Sequence, residues 1–101
     1  MLGATLDAAA YLERLQQEVG RVPEADLCRW SGLLFTAWQE GQSVFIIGNG
    51  GSATTASHMA EDLGKSTLVE ADLHDESLRR LKVLSLTDNV GWITAVANDL
   101  D

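Results

Sequence analysis

The sequence predicts an α/β fold, a helical hairpin followed by β-α-β-α units, and three observations lead to it. A short apolar run rich in β-branched residues, Ser43-Val44-Phe45-Ile46-Ile47, leads directly into the glycine cluster Gly48-Asn49-Gly50-Gly51 and a helical stretch. A second apolar run, Leu81-Lys82-Val83-Leu84-Ser85-Leu86, is itself followed by helical periodicity. Ahead of both stand two amphipathic segments whose apolar residues recur at three- and four-residue steps. Strands alternating with helices are the pattern of a mostly parallel sheet with helices on its faces.

Taken in order, Ala8, Tyr11 or Leu12, Leu15 and Val19 place a helix from about Leu6 to Val19. Gly20 is its natural stop, and Pro23, the only proline, keeps the link from being helical. A second helix runs from about Glu24 to Glu40, with Glu24 and Asp26 at its positive end and Leu27, Trp30, Leu34 and Trp38 as one apolar stripe. Both tryptophans are expected in a core or an interface, and Cys28 is expected to be buried within this helix. Gly41 ends the segment, which divides the chain into a hairpin at 1–41 and an α/β portion at 42–101. The first strand, at 43–47, reads as one buried on both faces. The helix after the glycines runs to about Leu63, with Ala53, Ala56, Ala60 and Leu63 as a face of small and apolar residues for close packing on the sheet. Residues 64–80 are polar and acidic and read as a long loop with one helical turn. The second strand follows at 81–86, and a last helix begins at Gly91.

Composition bounds the function. A length of 101 residues excludes two full-sized domains and fits one small domain or a piece of a larger one. Apolar residues make up 46% and charged residues 22%, the balance of a folding chain. With 7 basic against 15 acidic residues the formal charge is −8, which argues against nucleic acid as a partner. A phosphorylated small molecule stays compatible with that charge, because backbone N–H groups hold phosphate without net positive charge. A single cysteine excludes an internal disulfide and suits a reducing cytoplasm. No apolar run approaches the roughly 18 residues of a membrane span, and the N-terminus lacks a basic segment before an apolar stretch. The expectation is a cytoplasmic protein with no membrane partner.

The glycine loop admits two readings. It is a tight βα turn, or it brings backbone N–H groups and a helix N-terminus to an anion, with Ser52 capping the helix or giving its hydroxyl to the same ligand. Gly48 to Ala53 satisfies the looser dinucleotide fingerprint G-x-G-x-x-A. That fingerprint also wants an acidic residue closing the second strand about 20 positions on. Glu70 and Asp72 stand near that distance but in a polar loop, so a nicotinamide cofactor is not supported. Gly64-Lys65-Ser66 imitates the end of a Walker A loop, yet Met59 occupies the place of its first glycine.

His58 and Asp62 are four apart on the third helix and point the same way, together with Thr54. Such a pair can bind one metal ion or divide acid and base roles, and it is equally the ordinary hydrogen bond of a helix surface. Glu61, three from His58, can share that face. His74, in the acidic loop, is expected in solvent.

Gly48-Asn49-Gly50-Gly51-Ser52-Ala53, Ala56-Ser57-His58-Met59-Ala60-Glu61-Asp62-Leu63, Leu86-Thr87-Asp88 and Ala95-Val96-Ala97-Asn98-Asp99 occur in that order. This series resembles the first half of a sugar-isomerase (SIS) domain of the phosphoheptose isomerase group, and the resemblance covers the whole chain. It implies a doubly wound, mostly parallel sheet, here truncated, in a homotetramer with active sites between subunits. It implies interconversion of sedoheptulose 7-phosphate and D-glycero-D-manno-heptose 7-phosphate for heptose biosynthesis. Under it Asn49, Gly50, Gly51, Ser52, Asn98 and Asp99 are substrate-binding, His58 is a zinc ligand, and Asp62 is both ligand and acid/base. Asp62 departs from the family, which usually has a longer Glu there. The family's Ser/Thr-rich phosphate loop and its later Gln and His find no counterpart within the 101 residues. The stretch alone is therefore expected to be inactive, and weakly stable or self-associated. The alternative is a non-catalytic SIS module that binds a phosphosugar or acts through protein contacts.

Overall fold

The computed structural model describes Thr5 and residues 7–100. In chain order they form α1 (Ala8–Gly20), α2 (Glu24–Glu40), β1 (Ser43–Ile46), α3 (Gly51–Lys65), a 3-10 turn (Glu70–Asp72), β2 (Lys82–Ser85) and α4 (Val90–Asp99). The predicted α/β class and element order are those observed. Leu6, the expected start of the first helix, lies outside the described residues. The described residues of Met1–Ser31 make one compact unit and those of Gly32–Asp101 another, the division falling within α2.

In the first unit, Asp7 caps α1 by accepting the Ala10 N–H at 2.8 Å. Arg14 and Arg21 both reach Glu18, at 2.7 and 3.3 Å. Tyr11, Leu12, Leu15 and Val19 of the α1 stripe are exposed, as are Leu27 and Trp30 of α2. Cys28 is exposed as well. Its expected burial is not realised, and Leu27 and Trp30 on the neighbouring positions of the helix are exposed with it.

The second unit carries the sheet. Gly41 takes a φ of +67° after the last turn of α2, and the N–H groups of Gly41 and Gln42 return to Trp38 O and Ala37 O at 3.2 and 2.8 Å. This is a Schellman closure that needs glycine. Arg79 adds charge to the same end: its guanidinium donates to Trp38 O and Gln39 O at 3.3 and 2.5 Å, while the Trp38 indole N–H donates to Arg79 O at 2.7 Å. The residues just before β2 are thereby tied to the end of α2, where cations are favoured.

β1 and β2 pair in parallel, Ser43 opposite Lys82, Val44 opposite Val83, Phe45 opposite Leu84 and Ile46 opposite Ser85. α3, the crossover between them, lies mainly over β2. Ala56 and Ala60 are buried beneath it and Ala53 and Leu63 half-buried, as the small-residue face requires. The helix ends at Lys65, two residues past Leu63, and Gly64 near its end lies over Val83 of β2.

Burial of the first strand on both faces is not realised. Val44, Ile46 and Val83 are half-buried and Ser85 buried on the α3 side, whereas Phe45 and Leu84, side by side on the other face, are 61% and 55% exposed. Among the described residues nothing covers that second face. The acidic segment contains one 3-10 turn, and His74 is exposed within it.

Candidate functional site

The glycine loop stands at the carboxyl end of β1, the end at which open α/β sheets receive ligands. Two of its glycines are required by geometry. A Cβ on Gly48 would approach the backbone C and O of Ser52 to 2.4 Å, and Gly50 holds φ +57° and ψ −124°, which side chains oppose. Ser52 does not cap the helix. Gly50 occupies the cap position, and the Ser52 hydroxyl closes the loop on itself, accepting the Asn49 N–H at 2.8 Å and donating to Asn49 O at 2.7 Å. The Ser52 and Ala53 N–H groups bond Asn49 O and Gly50 O, both at 3.1 Å. Of the loop amides, Asn49, Ser52 and Ala53 are therefore engaged within the loop, and the Gly50 and Gly51 N–H groups make no such bond.

One turn further along α3, Thr54, Ser57, His58, Ala60 and Glu61 line an open cleft of about 610 Å³ with Val83, Leu84, Ser85 and Asp88. The imidazole Nε2 of His58 lies 3.4 Å from Asp62 Oδ2, with the two side chains 76% and 56% exposed. Asp62 is reached through His58 and is not part of the cleft wall. Glu61 is, and its carboxylate meets Lys65 Nζ at 2.7 Å. The hydrogen bond and charge of Lys65 hold the Glu61 carboxyl below its ordinary value, and Glu61 in turn raises Lys65. No Lys or Arg lines the cleft, so its chemistry is that of hydroxyls, one imidazole and carboxylates.

Zinc can be tested against these residues. Two ligand atoms at zinc-bond lengths in a tetrahedral set stand roughly 3.3–3.4 Å apart, which the His58–Asp62 separation of 3.4 Å matches. The pair fits as half of a zinc set. No group of three or more His, Cys, Asp or Glu side chains suited to a metal occurs among the described residues.

Asn98 and Asp99 close α4, and the hydrogen bond of Asn98 runs to its neighbour Asp99 at 3.4 Å. α4 starts at the carboxyl end of β2 and its last residues lie about 13 Å further along the helix from Asn89. The fold thus brings His58, Glu61 and the glycine loop onto one helix, and leaves Asn98 and Asp99 at the far end of another. Sequence reasoning missed Asp88, Ser57 and Ser85. Ser57 donates to Asp88 Oδ1 across the gap between α3 and the residues after β2, and the buried Ser85 hydroxyl lies 3.0 Å from Thr87 Oγ1. The available signal was the position of Leu86-Thr87-Asp88 at the end of the second strand, the second place where a sheet of this kind offers ligand groups.

Comparison with known proteins places this geometry in context. The chain is 45% identical over 67 residues to the lincomycin biosynthesis protein LmbN of Streptomyces lincolnensis, covering 66% of this chain and 22% of that protein. It is 36% identical over 98 residues to the phosphoheptose isomerase of Syntrophotalea carbinolica, covering 94% of this chain and 46% of that enzyme. With the phosphoheptose isomerase of Chlorobium limicola it shares 31% identity over 97 residues, 94% of this chain and 42% of the enzyme. The chain spans less than half the length of these curated relatives. No protein-family model matches it. No solved structure matches it either.

Proposed function

We propose, since this chain belongs to the phosphoheptose isomerase family, that it forms part of an aldose–ketose isomerase site for a phosphorylated sugar resembling sedoheptulose 7-phosphate. The product would resemble D-glycero-D-manno-heptose 7-phosphate. The observation that carries this reading is the sequence of features along α3: a glycine-bound N-terminus, then a cleft of hydroxyl, imidazole and carboxylate groups. The side chains of Thr54, His58 and Glu61 offer donors and acceptors to a polyhydroxylated chain, and the N–H groups at the helix start favour its anionic end. Asn49, Gly50, Gly51, Ser52, Asn98 and Asp99 are the proposed substrate-binding residues.

Isomerisation requires a base for the proton α to the carbonyl and a group that stabilises the enediolate. His58 and Asp62 are the proposed acid/base pair and, in zinc-dependent chemistry, the two ligands this chain contributes. Zinc, when bound, supplies Lewis-acid polarisation of the substrate oxygens. The whole enzyme is proposed to act as a homotetramer in the cytoplasm. Among the described residues no helix is long and apolar enough to cross a membrane.

Calorimetric titration of the chain with sedoheptulose 7-phosphate tests the reading. Saturable binding is expected, weakened at least about tenfold by Gly50→Val, which puts a β-branched side chain on a positive φ at the loop, and by His58→Ala, which removes a polar contact. An affinity that neither substitution changes rejects it. One observation favours a second reading, a phosphosugar-binding module without turnover: His58 pairs with the shorter Asp62, and no third ligand joins them among the described residues. A complete protein containing this segment that binds the sugar phosphate but does not isomerise it would establish the module.

A further inference from the structure

The packing face of α3 fixes its rotation only in part. Ala53, Ala56, Ala60 and Gly64 meet the sheet with one carbon or none beyond the backbone, and Met59 and Leu63 are the longer side chains half-buried beside them. One side-chain hydrogen bond joins α3 to the segment from β2 to α4 among the described residues, from the Ser57 hydroxyl to Asp88 Oδ1. The Ser57 hydroxyl also lies 3.1 Å from Ala53 O, but it has one proton, and the carboxylate is the stronger acceptor. Asp88 is exposed, and its backbone sits between buried Ser85, whose O lies 3.4 Å from the Asp88 N–H, and Asn89, which caps α4.

We propose that Asp88 is a positioning residue of this site: by holding Ser57 it fixes the rotation of α3 and hence the direction in which the adjacent His58 presents its imidazole to the cleft. The proposal rests on reading the cleft as the sugar-phosphate site. Ser57 and His58 are consecutive on the helix and line the same cleft as Asp88. A small turn of α3 about its axis moves both together, and the bond at Ser57 is the polar restraint that adds to the packing against that turn.

The test compares Ser57→Ala, Asp88→Ala, the double variant and Asp88→Asn in this chain. The readouts are sedoheptulose 7-phosphate affinity and the His58 ring 13C–1H NMR cross-peak without ligand. Ser57→Ala suits a helix interior and removes only a hydroxyl. Asp88→Asn keeps a carbonyl acceptor at the same place, so these two variants decide the matter should Asp88→Ala unfold. Ser57→Ala and Asp88→Ala should each displace the His58 cross-peak and weaken binding about threefold to tenfold, the range of one hydrogen bond. The double variant should go no further than either single one, the mark of a shared interaction, and Asp88→Asn should stay near the parent. A His58 cross-peak unmoved by Ser57→Ala, additive effects, or an Asp88→Asn variant as damaged as Asp88→Ala would each overturn the proposal. Should the parent chain fail to bind the sugar phosphate, the proposed function falls, while the ligand-free cross-peak still decides the role of Asp88.

Discussion

Gly48, Gly50 and Gly51 look interchangeable as letters and are not interchangeable in space. Gly48 has the backbone of Ser52 where a side chain would go, Gly50 has a positive φ, and Gly51 has neither constraint. Gly48→Ala and Gly50→Ala should each lower stability by about 1–3 kcal/mol, while Gly51→Ala should leave it unchanged or slightly raised, since alanine suits the first turn of a helix. Urea unfolding of the three variants measures this, and equal effects at all three would contradict the geometry. The Glu61–Lys65 pair makes a prediction about pH. Glu61 is held below its ordinary 4.5 by Lys65, so its contribution is present above that value and is lost as pH falls through the lowered one. Lys65 is raised above 10.5 by Glu61, so its share is present below that value and is lost as pH rises through the raised one. The difference in thermal midpoint between the parent and Glu61→Gln should therefore be largest near neutral pH and vanish in acid. Both groups are exposed, and salt should shrink the difference.

At the scale of elements, each helix end has its own closure. α4 begins with Asn89, whose side chain accepts the Trp92 N–H at 3.0 Å. Asn89→Ala should cost about 1 kcal/mol and Asn89→Asp much less, read as loss of amide protection across Val90–Thr94. Much of this level was legible in the sequence. The β-branched runs, the glycine after α2 and the alanines of α3 carry local physics that acts whatever surrounds them. The errors arose where partners are distant or absent. Ser52 reads as a cap by residue type, but the backbone turn at Gly50 takes the cap position and leaves the hydroxyl to Asn49. Asp88 acquires its meaning from Ser57, 31 residues earlier, and no local pattern announces that pairing. The apolar composition of 43–47 suggests two covered faces, yet composition does not say whether the cover belongs to the same stretch of chain.

Across the whole molecule, apolar surface remains open on the Phe45–Leu84 face and along the stripes of α1 and α2. Among the described residues the buried ones are few and mostly small: Ala37, Ala56, Ala60, Leu81 and Ser85. The relatives that share the sequence are more than twice as long, which accords with a sheet whose second face needs covering. The surface charge of −8 and the cleft without Lys or Arg set a clear demand on any phosphate ligand. On the proposed reading, what this stretch offers the anionic end is the backbone N–H groups at the start of α3, and what it offers the hydroxyls is the cleft. The most direct measurement of that claim is 15N–1H NMR of the chain titrated with sedoheptulose 7-phosphate, beside unphosphorylated sedoheptulose. The phosphate ester should shift the Gly50 and Gly51 amides together with those of Thr54 to His58, and the free sugar should shift the second group far more than the first. Shifts confined to α1 and α2, or none at millimolar ligand, would contradict it.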